Sequence, residues 1–242
     1  MCTVSFIARQ RGYLLAMNRD EKLARAAGLP PKIISVLGRR VVRPAEPGGG
    51  TWIALNDAGV TFALINWYSV TARVKRNPVS RGEVVNAVSA QTSPASASEI
   101  LARLPLKHIN PFRLIGVFPA TKEILEWRWD LKRHVRQQHP WQAQQFISSG
   151  FDEPTAQRIR SGTFRMALRQ KSAGTLEWLR RLHRSHAPEP GPFATCMHRA
   201  EAATVSCTEV IFSARRAVMR HTAGAPCENA RVCLQPLPPA AN

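Results

Sequence analysis

Cys2 and the run Asn18-Arg19-Asp20-Glu21 bring together a thiol, a guanidinium and two carboxylates. Methionine is commonly removed ahead of a small residue. Removal here would leave Cys2 with both a thiol and a free α-amine, a nucleophile and a candidate base in one residue. An ordinary α-amine titrates near about 8 and a thiol near about 8.5, so both are within reach of neutral pH. The plain alternative is a buried cysteine at the start of a strand.

The elements that must position these groups are two strands. Residues 3–8 and 13–17 are apolar runs around the polar turn Gln10-Arg11-Gly12. A turn centred between 10 and 12 sets Cys2 across from Arg19, Asp20 or Glu21, and opposed residues have Cα atoms about 4.5–5.5 Å apart. A one-residue slip would turn every side chain to the other face, so the partner is left open at this point.

The chain has 242 residues, enough for one large domain with a sizeable core. No apolar run approaches the roughly 20 residues of a spanning helix, and no signal-peptide or lipidation pattern is present. A cytoplasmic protein without a transmembrane segment is the expectation. The five cysteines are odd in number and no pair has CxxC spacing, which gives no support to a disulfide framework or a zinc site. No metal and no cofactor are therefore expected. Cys196 and Cys207 read as buried small residues, and Cys227 and Cys233 as thiols of a proline-rich tail. The net charge of +18 invites a nucleic-acid reading. No zinc-finger, RRM or KH signature accompanies it, so specific nucleic-acid binding is not expected.

Residues 22–47 read as irregular around Pro30-Pro31, Pro44 and Pro47, with a short strand-like stretch at 33–37. Gly48-Gly49-Gly50 lacks the Gly-Lys-Ser/Thr of a phosphate loop and reads as a tight bend or close backbone approach. A hairpin follows at 51–66. Ser80-Arg81-Gly82-Glu83 and Ser96-Ala97-Ser98-Glu99 are capping-box patterns opening two helices, joined by a small-residue linker at 89–98. Strands are expected at 113–118, 124–129, 145–148, 193–198, 203–212 and 217–221, and helices at 153–170 and 175–184. The domain is taken as 1–222, with 223–242 a disordered tail. Hairpins without βαβ alternation argue for an α+β protein of antiparallel sheets with flanking helices.

These residues together resemble the NRDE family, also called the transport and Golgi organisation protein 2 family. The resemblance runs over roughly 1–215. It rests on the Met-Cys start, Asn18-Arg19-Asp20-Glu21, Gly49-Gly50-Thr51-Trp52 with Asn56 and Gly59, and Ser80-Arg81-Gly82-Glu83. Asn110-Pro111-Phe112, Ile147-Ser148-Ser149-Gly150 and Cys196-Met197-His198-Arg199 extend it. In place of the family's proline-containing stretch after Glu21 the chain has Lys22-Leu23-Ala24-Arg25-Ala26. The resemblance implies a four-layer αββα sandwich, N-terminal-nucleophile hydrolase-like, similar to penicillin and bile-salt acylases. It implies Cys2 as nucleophile, flanked by Arg19 and Asp20, with Asn66 donating to an oxyanion and Arg199 matching a later active-site arginine. Where those hydrolases carry another oxyanion asparagine, this chain has Ser148-Ser149.

The implied chemistry is hydrolysis of an amide or acyl conjugate by a cysteine nucleophile. Asn18, Trp52 and Trp67 join it as substrate-binding candidates. Each assignment has a structural rival. Arg19-Asp20 would serve as an ion pair closing a sheet end, Asn66 as a backbone cap, His198-Arg199 as turn residues, and Trp52 and Trp67 as core. The family is also connected with lipid metabolism and haem trafficking. A noncatalytic carrier of haem, lipid or acyl-CoA in the same cleft is therefore the alternative, with Cys2 as a haem thiolate. Cys2-Thr3 does not match a Cys-Pro haem motif.

Overall fold

The computed structural model describes residues 2–238; Met1, and with it the removal expected of it, and 239–242 lie outside the described residues. Strands β1 (Cys2–Arg9) and β2 (Gly12–Lys22) form the expected hairpin across Gln10-Arg11. Its register sets Cys2 opposite Arg19 and Arg9 opposite Gly12. Gly12 has φ +134°, and a Cβ there would meet the Phe212 carbonyl oxygen at 2.0 Å, so this turn position requires glycine.

Four further hairpin strands follow: β3 (Leu29–Val36), β4 (Arg39–Ala45), β5 (Ile53–Asn56) and β6 (Thr61–Asn66). Helices α1 (Gly82–Val88) and α2 (Pro94–Arg103) lead to β7 (Phe112–Phe118), β8 (Glu123–Trp129), β9 (His134–His139) and β10 (Gln144–Ser148). Helices α3 (Glu153–Ala167) and α4 (Leu176–Arg184) precede β11 (Ala202–Ser213), β12 (Arg216–Ala223) and β13 (Arg231–Leu237). One sheet has the order β10-β1-β2-β11-β12-β13 and the other β3-β4-β5-β6-β7-β8-β9, with every neighbouring pair antiparallel.

The two-residue side-chain period gives each sheet two apolar faces. Val4, Phe6, Leu15 and Met17 of the first sheet meet Val42, Ile53, Leu55 and Ile115 of the second in one core. The outer face of the second sheet, through Phe62, Leu114 and Trp127, packs on Val84, Val85 and Val88 of α1 and Leu101 of α2. The outer face of the first, through Ile7, Leu14 and Ala16, packs on Phe164 of α3 and Trp178, Leu179 and Leu182 of α4. The result is an αββα sandwich of four layers. No helix among the described residues is long and apolar enough to cross a membrane.

Several local expectations are corrected. The irregular stretch 22–47 contains β3 and β4, and its prolines Pro30 and Pro31 sit on the sheet's edge strand, where a missing N–H costs no ladder bond. The tail expected to be disordered from 223 supplies β13, paired with β12 from Ala217↔Leu237 to Ala223↔Arg231. Helix α2 starts earlier than Ser96: Ser93 is its cap, accepting from the Ser96 backbone N–H, and Pro94 opens the first turn. Residues 193–198 form no strand beyond a single bridge of His198 with Ala203.

Candidate active site

Cys2 begins β1 on the face turned toward the second sheet, and is 7% exposed at the floor of a cleft of about 290 Å³. Arg19, Asp20, Glu21 and Arg25 line it from the β2 side, and Trp52, Leu64 and Asn66 from the second sheet. Residues 78–82 and Asn110 close the rim. The rim is held by a close approach: a Cβ on Gly82 would lie 2.7 Å from the Gly50 Cα and from the Thr51 nitrogen. That contact is the use of Gly50, the last of the three glycines, and it seats Ser80 and Arg81 over the cleft.

Charge inside the cleft is arranged in two ways. Arg19 donates to Glu46 at 2.8 Å and reaches Glu21 at 3.4 Å; Arg25 donates to Glu21 and Glu46 at 2.8 Å each. Two cations and two carboxylates thus neutralise one another, and the Lys22–Ala26 stretch is tied back by Arg25. The Arg19 guanidinium also stacks 4.7 Å from the Trp52 ring centroid. Arg81 differs. It donates at 3.4 Å to the Pro111 carbonyl and has no carboxylate partner among the described residues. Burial pulls its pKa below the ordinary arginine value. Burial pushes the Cys2 thiol up. The positive amino terminus and Arg19 act against that, as does a backbone hydrogen bond with Asp20. Asn66 donates from Nδ2 to the Tyr68 hydroxyl at 2.8 Å.

Alternation along β2 turns Asn18 and Asp20 to the other face, toward α3 and α4. The Asp20 carboxylate accepts from Thr204 at 2.6 Å and from Arg160 at 3.2 Å, and Arg160 also donates to Thr3 at 2.7 Å. Asn18 donates to the His183 and Thr195 carbonyls at 2.9 Å each. His183 donates from Nδ1 to the Asn18 side-chain oxygen and accepts at Nε2 from Ser5, both at 2.9 Å. Burial, reinforced by Arg160, lowers the His183 pKa to about 3, so this imidazole is neutral.

The cleft therefore brings together Cys2, Arg19, Asp20, Asn66 and Trp52. It does not include three other expected residues. Asn18 is fully buried among backbone carbonyls and touches no cleft, because its strand position faces the helices. Trp67 lies outside the lining, its backbone N–H bonded to Pro111. Arg199 pairs with Glu201 and stacks 4.4 Å over Phe151, away from the cleft. Sequence reasoning missed Glu46, Arg25 and Arg81 as cleft groups, and Arg160 behind it. Arg81 and Arg25 stood in stretches it had singled out, Ser80–Glu83 and Lys22–Ala26, but neither was assigned to a cleft.

A family model, Transport and Golgi organisation 2, matches residues 1–128. No curated protein matches the chain. Among solved structures the chain is similar to penicillin V acylase from Agrobacterium tumefaciens, with a TM-score of 0.58 at 10% identity, covering 98% of this chain and 86% of that one. It is also similar to the mutant C2A of conjugated bile acid hydrolase from Clostridium perfringens, with a TM-score of 0.59 at 9% identity, covering 97% of this chain and 92% of that one. At this identity the likeness establishes the fold, that of the N-terminal-nucleophile hydrolases.

Proposed function

The chain belongs to the Transport and Golgi organisation 2 family, and from that premise we propose that it is an N-terminal cysteine hydrolase of an amide or acyl conjugate. The observation that carries this reading is Cys2 at the floor of an open cleft whose lining holds Arg19, Asp20 and Asn66. With Met1 removed, the α-amine takes the thiol proton as sulfur attacks the acyl carbonyl. The leaving amine or thiol receives that proton, and a thioester remains on Cys2. Water then attacks the thioester, the amine again acting as base. The acid is released and the thiol restored.

Asn66 has a second amide hydrogen beyond the one given to Tyr68, suited to the developing oxyanion. One such donor is worth roughly 10²–10³-fold in rate. Asp20 orients the ammonium, and Arg81 takes an anionic part of the substrate. The carrier reading shares the cleft. A lipid site needs a mainly apolar lining, whereas the charged side chains of Arg19, Glu21, Arg25 and Glu46 face this one.

The test is an acylating thiol probe followed by peptide mapping and intact-mass analysis. The expected result is a chain starting at Cys2, carrying one probe adduct there that Cys2→Ser abolishes. Retention of Met1, or labelling confined to Cys227 and Cys233, overturns the reading. Saturable haem or acyl-CoA binding that persists after Cys2 is blocked supports the carrier instead.

A further inference from the structure

On the far side of the first sheet, His186, Cys196, His198 and Cys227 each offer one ligand atom, and these atoms lie within 4.8 Å of one another. The two sulfurs are 3.4 Å apart, and His198 Nε2 is 3.7 Å from the Cys196 sulfur and 3.3 Å from that of Cys227. A tetrahedral zinc with Zn–S of 2.3 Å and Zn–N of 2.0–2.1 Å has edges of about 3.8 Å between sulfurs and about 3.6 Å between sulfur and nitrogen. These three edges lie within about half an ångström of those values, and the His186 nitrogen lies within 4.8 Å of the other three ligand atoms. The His186 and His198 rings stand 5.1 Å apart at 81°, and His186 Nε2 is a buried nitrogen without a hydrogen-bond partner. Buried polar atoms ordinarily find a partner, so this one points to a ligand.

We propose that these four residues form a closed Cys2His2 site for a divalent zinc-class cation. The cation binds two neutral imidazoles and two thiolates, and the Cys196 and Cys227 thiols release two protons as it enters, leaving a neutral centre. Four protein ligands leave no open position, so the site is structural rather than catalytic.

Its consequence lies in what it ties together. His186 follows α4, Cys196 and His198 precede β11, and Cys227 lies in the turn between β12 and β13. The Cys196 N–H is bonded to the Ser185 carbonyl at 3.0 Å, and a turn from Ala225 to Glu228 carries Cys227. The same 195–197 backbone is bonded to the sealed side of β2 and to β11. Thr195 accepts from Asn18, and Met197 donates to the Thr204 hydroxyl that in turn donates to Asp20. The metal thus fixes the segment against which the Asp20 carboxylate is set.

The test is metal analysis of the reduced full-length protein, then removal of bound metal and titration with cobalt(II). About one metal per chain is expected, with tetrahedral d–d absorption and a sulfur-to-cobalt charge-transfer band. Cys227→Ser, at the surface and compatible with folding, loses the charge-transfer band in part and the tight binding. His198→Ala loses the binding too. Cys233→Ser and Cys2→Ser keep full stoichiometry, which separates this site from the hydrolase reading. Reduced, folded protein that takes up no tetrahedral cobalt overturns the proposal. So does a variant at Cys227 that binds as well as the parent, or a Cys196–Cys227 disulfide whose reduction restores no metal affinity.

Discussion

The two faces of β2 carry the same kinds of residue to opposite ends. Arg19 and Glu21 look into a cleft, where their charges are matched by Arg25 and Glu46 at the edge of solvent. Asn18 and Asp20 look into a sealed layer, where His183, Arg160, Thr204 and Thr195 take up their hydrogen-bonding capacity. Arg160 and Asp20 are both fully buried side chains. The comparison teaches that a strand bearing a reactive site is anchored from behind by a sealed layer of hydrogen bonds. Polarity alone does not distinguish the two.

The sharpest way to break the comparison is to disarm the sealed face. Arg160→Met leaves the Asp20 carboxylate buried without its cation, and the expected loss is about 3–5 kcal/mol in urea unfolding. An unchanged midpoint would mean that Asp20 is solvated from the cleft and that the faces are not distinct. Asn18→Ala strips donors from two carbonyls and an acceptor from His183, with an expected loss of about 1–3 kcal/mol and no direct effect on probe binding. A next step uses pH. His183 and His221 are held neutral in the fold, at about 3 and about 4, chiefly by burial. Their unfolded forms titrate near about 6.5. A depressed histidine gives stability that is complete above the unfolded value and is lost as pH falls toward the folded one. The urea midpoint is therefore expected to fall between pH 6.5 and about 3, with a shallower slope in His183→Gln.

On the cleft face the order reverses. Arg81→Met is expected to shift stability by less than about 1 kcal/mol. It slows Cys2 acylation by an anionic probe roughly ten- to hundredfold. A neutral probe that suffers equally would remove Arg81 from substrate binding. The smallest effect is Arg19→Gln. It takes one positive charge from beside the thiol and moves the pH midpoint of Cys2 alkylation upward, since Arg19 opposes the rise caused by burial.

The hairpin register was legible because the turn Gln10-Arg11-Gly12 and two apolar runs fix the pairing within a residue or two. The choice of Arg19 opposite Cys2, within that range, needed the structure. Helix α4 was legible because Thr175 caps it and Leu176, Leu179 and Leu182 recur at helical spacing. The strands β3 and β4 were obscured by prolines: Pro30 and Pro31 sit on an edge strand, and Pro44 falls where the β3–β4 register shifts and beyond the β4–β5 pairs. β13 was obscured because Pro236 and the exposed side chains of an outermost strand look like a tail. Asn18 and Arg199 went astray for a shared reason: a motif states proximity along the chain, not which face a side chain takes.

What the sequence determined by itself is local: the amphipathic periods that make sandwiched sheets and covering helices, and the turn that returns β2 to Cys2. What only the tertiary structure decided is which distant groups meet. Arg81 reaches the cleft because Gly50 and Gly82 let two backbones touch. Arg160 comes from the opposite layer to neutralise Asp20. His186, Cys196, His198 and Cys227 lack any spacing that announces a metal site, because three separate segments deliver them. Short-range geometry is written in neighbouring residue types, whereas long-range convergence depends on how layers stack, which no window of the chain contains.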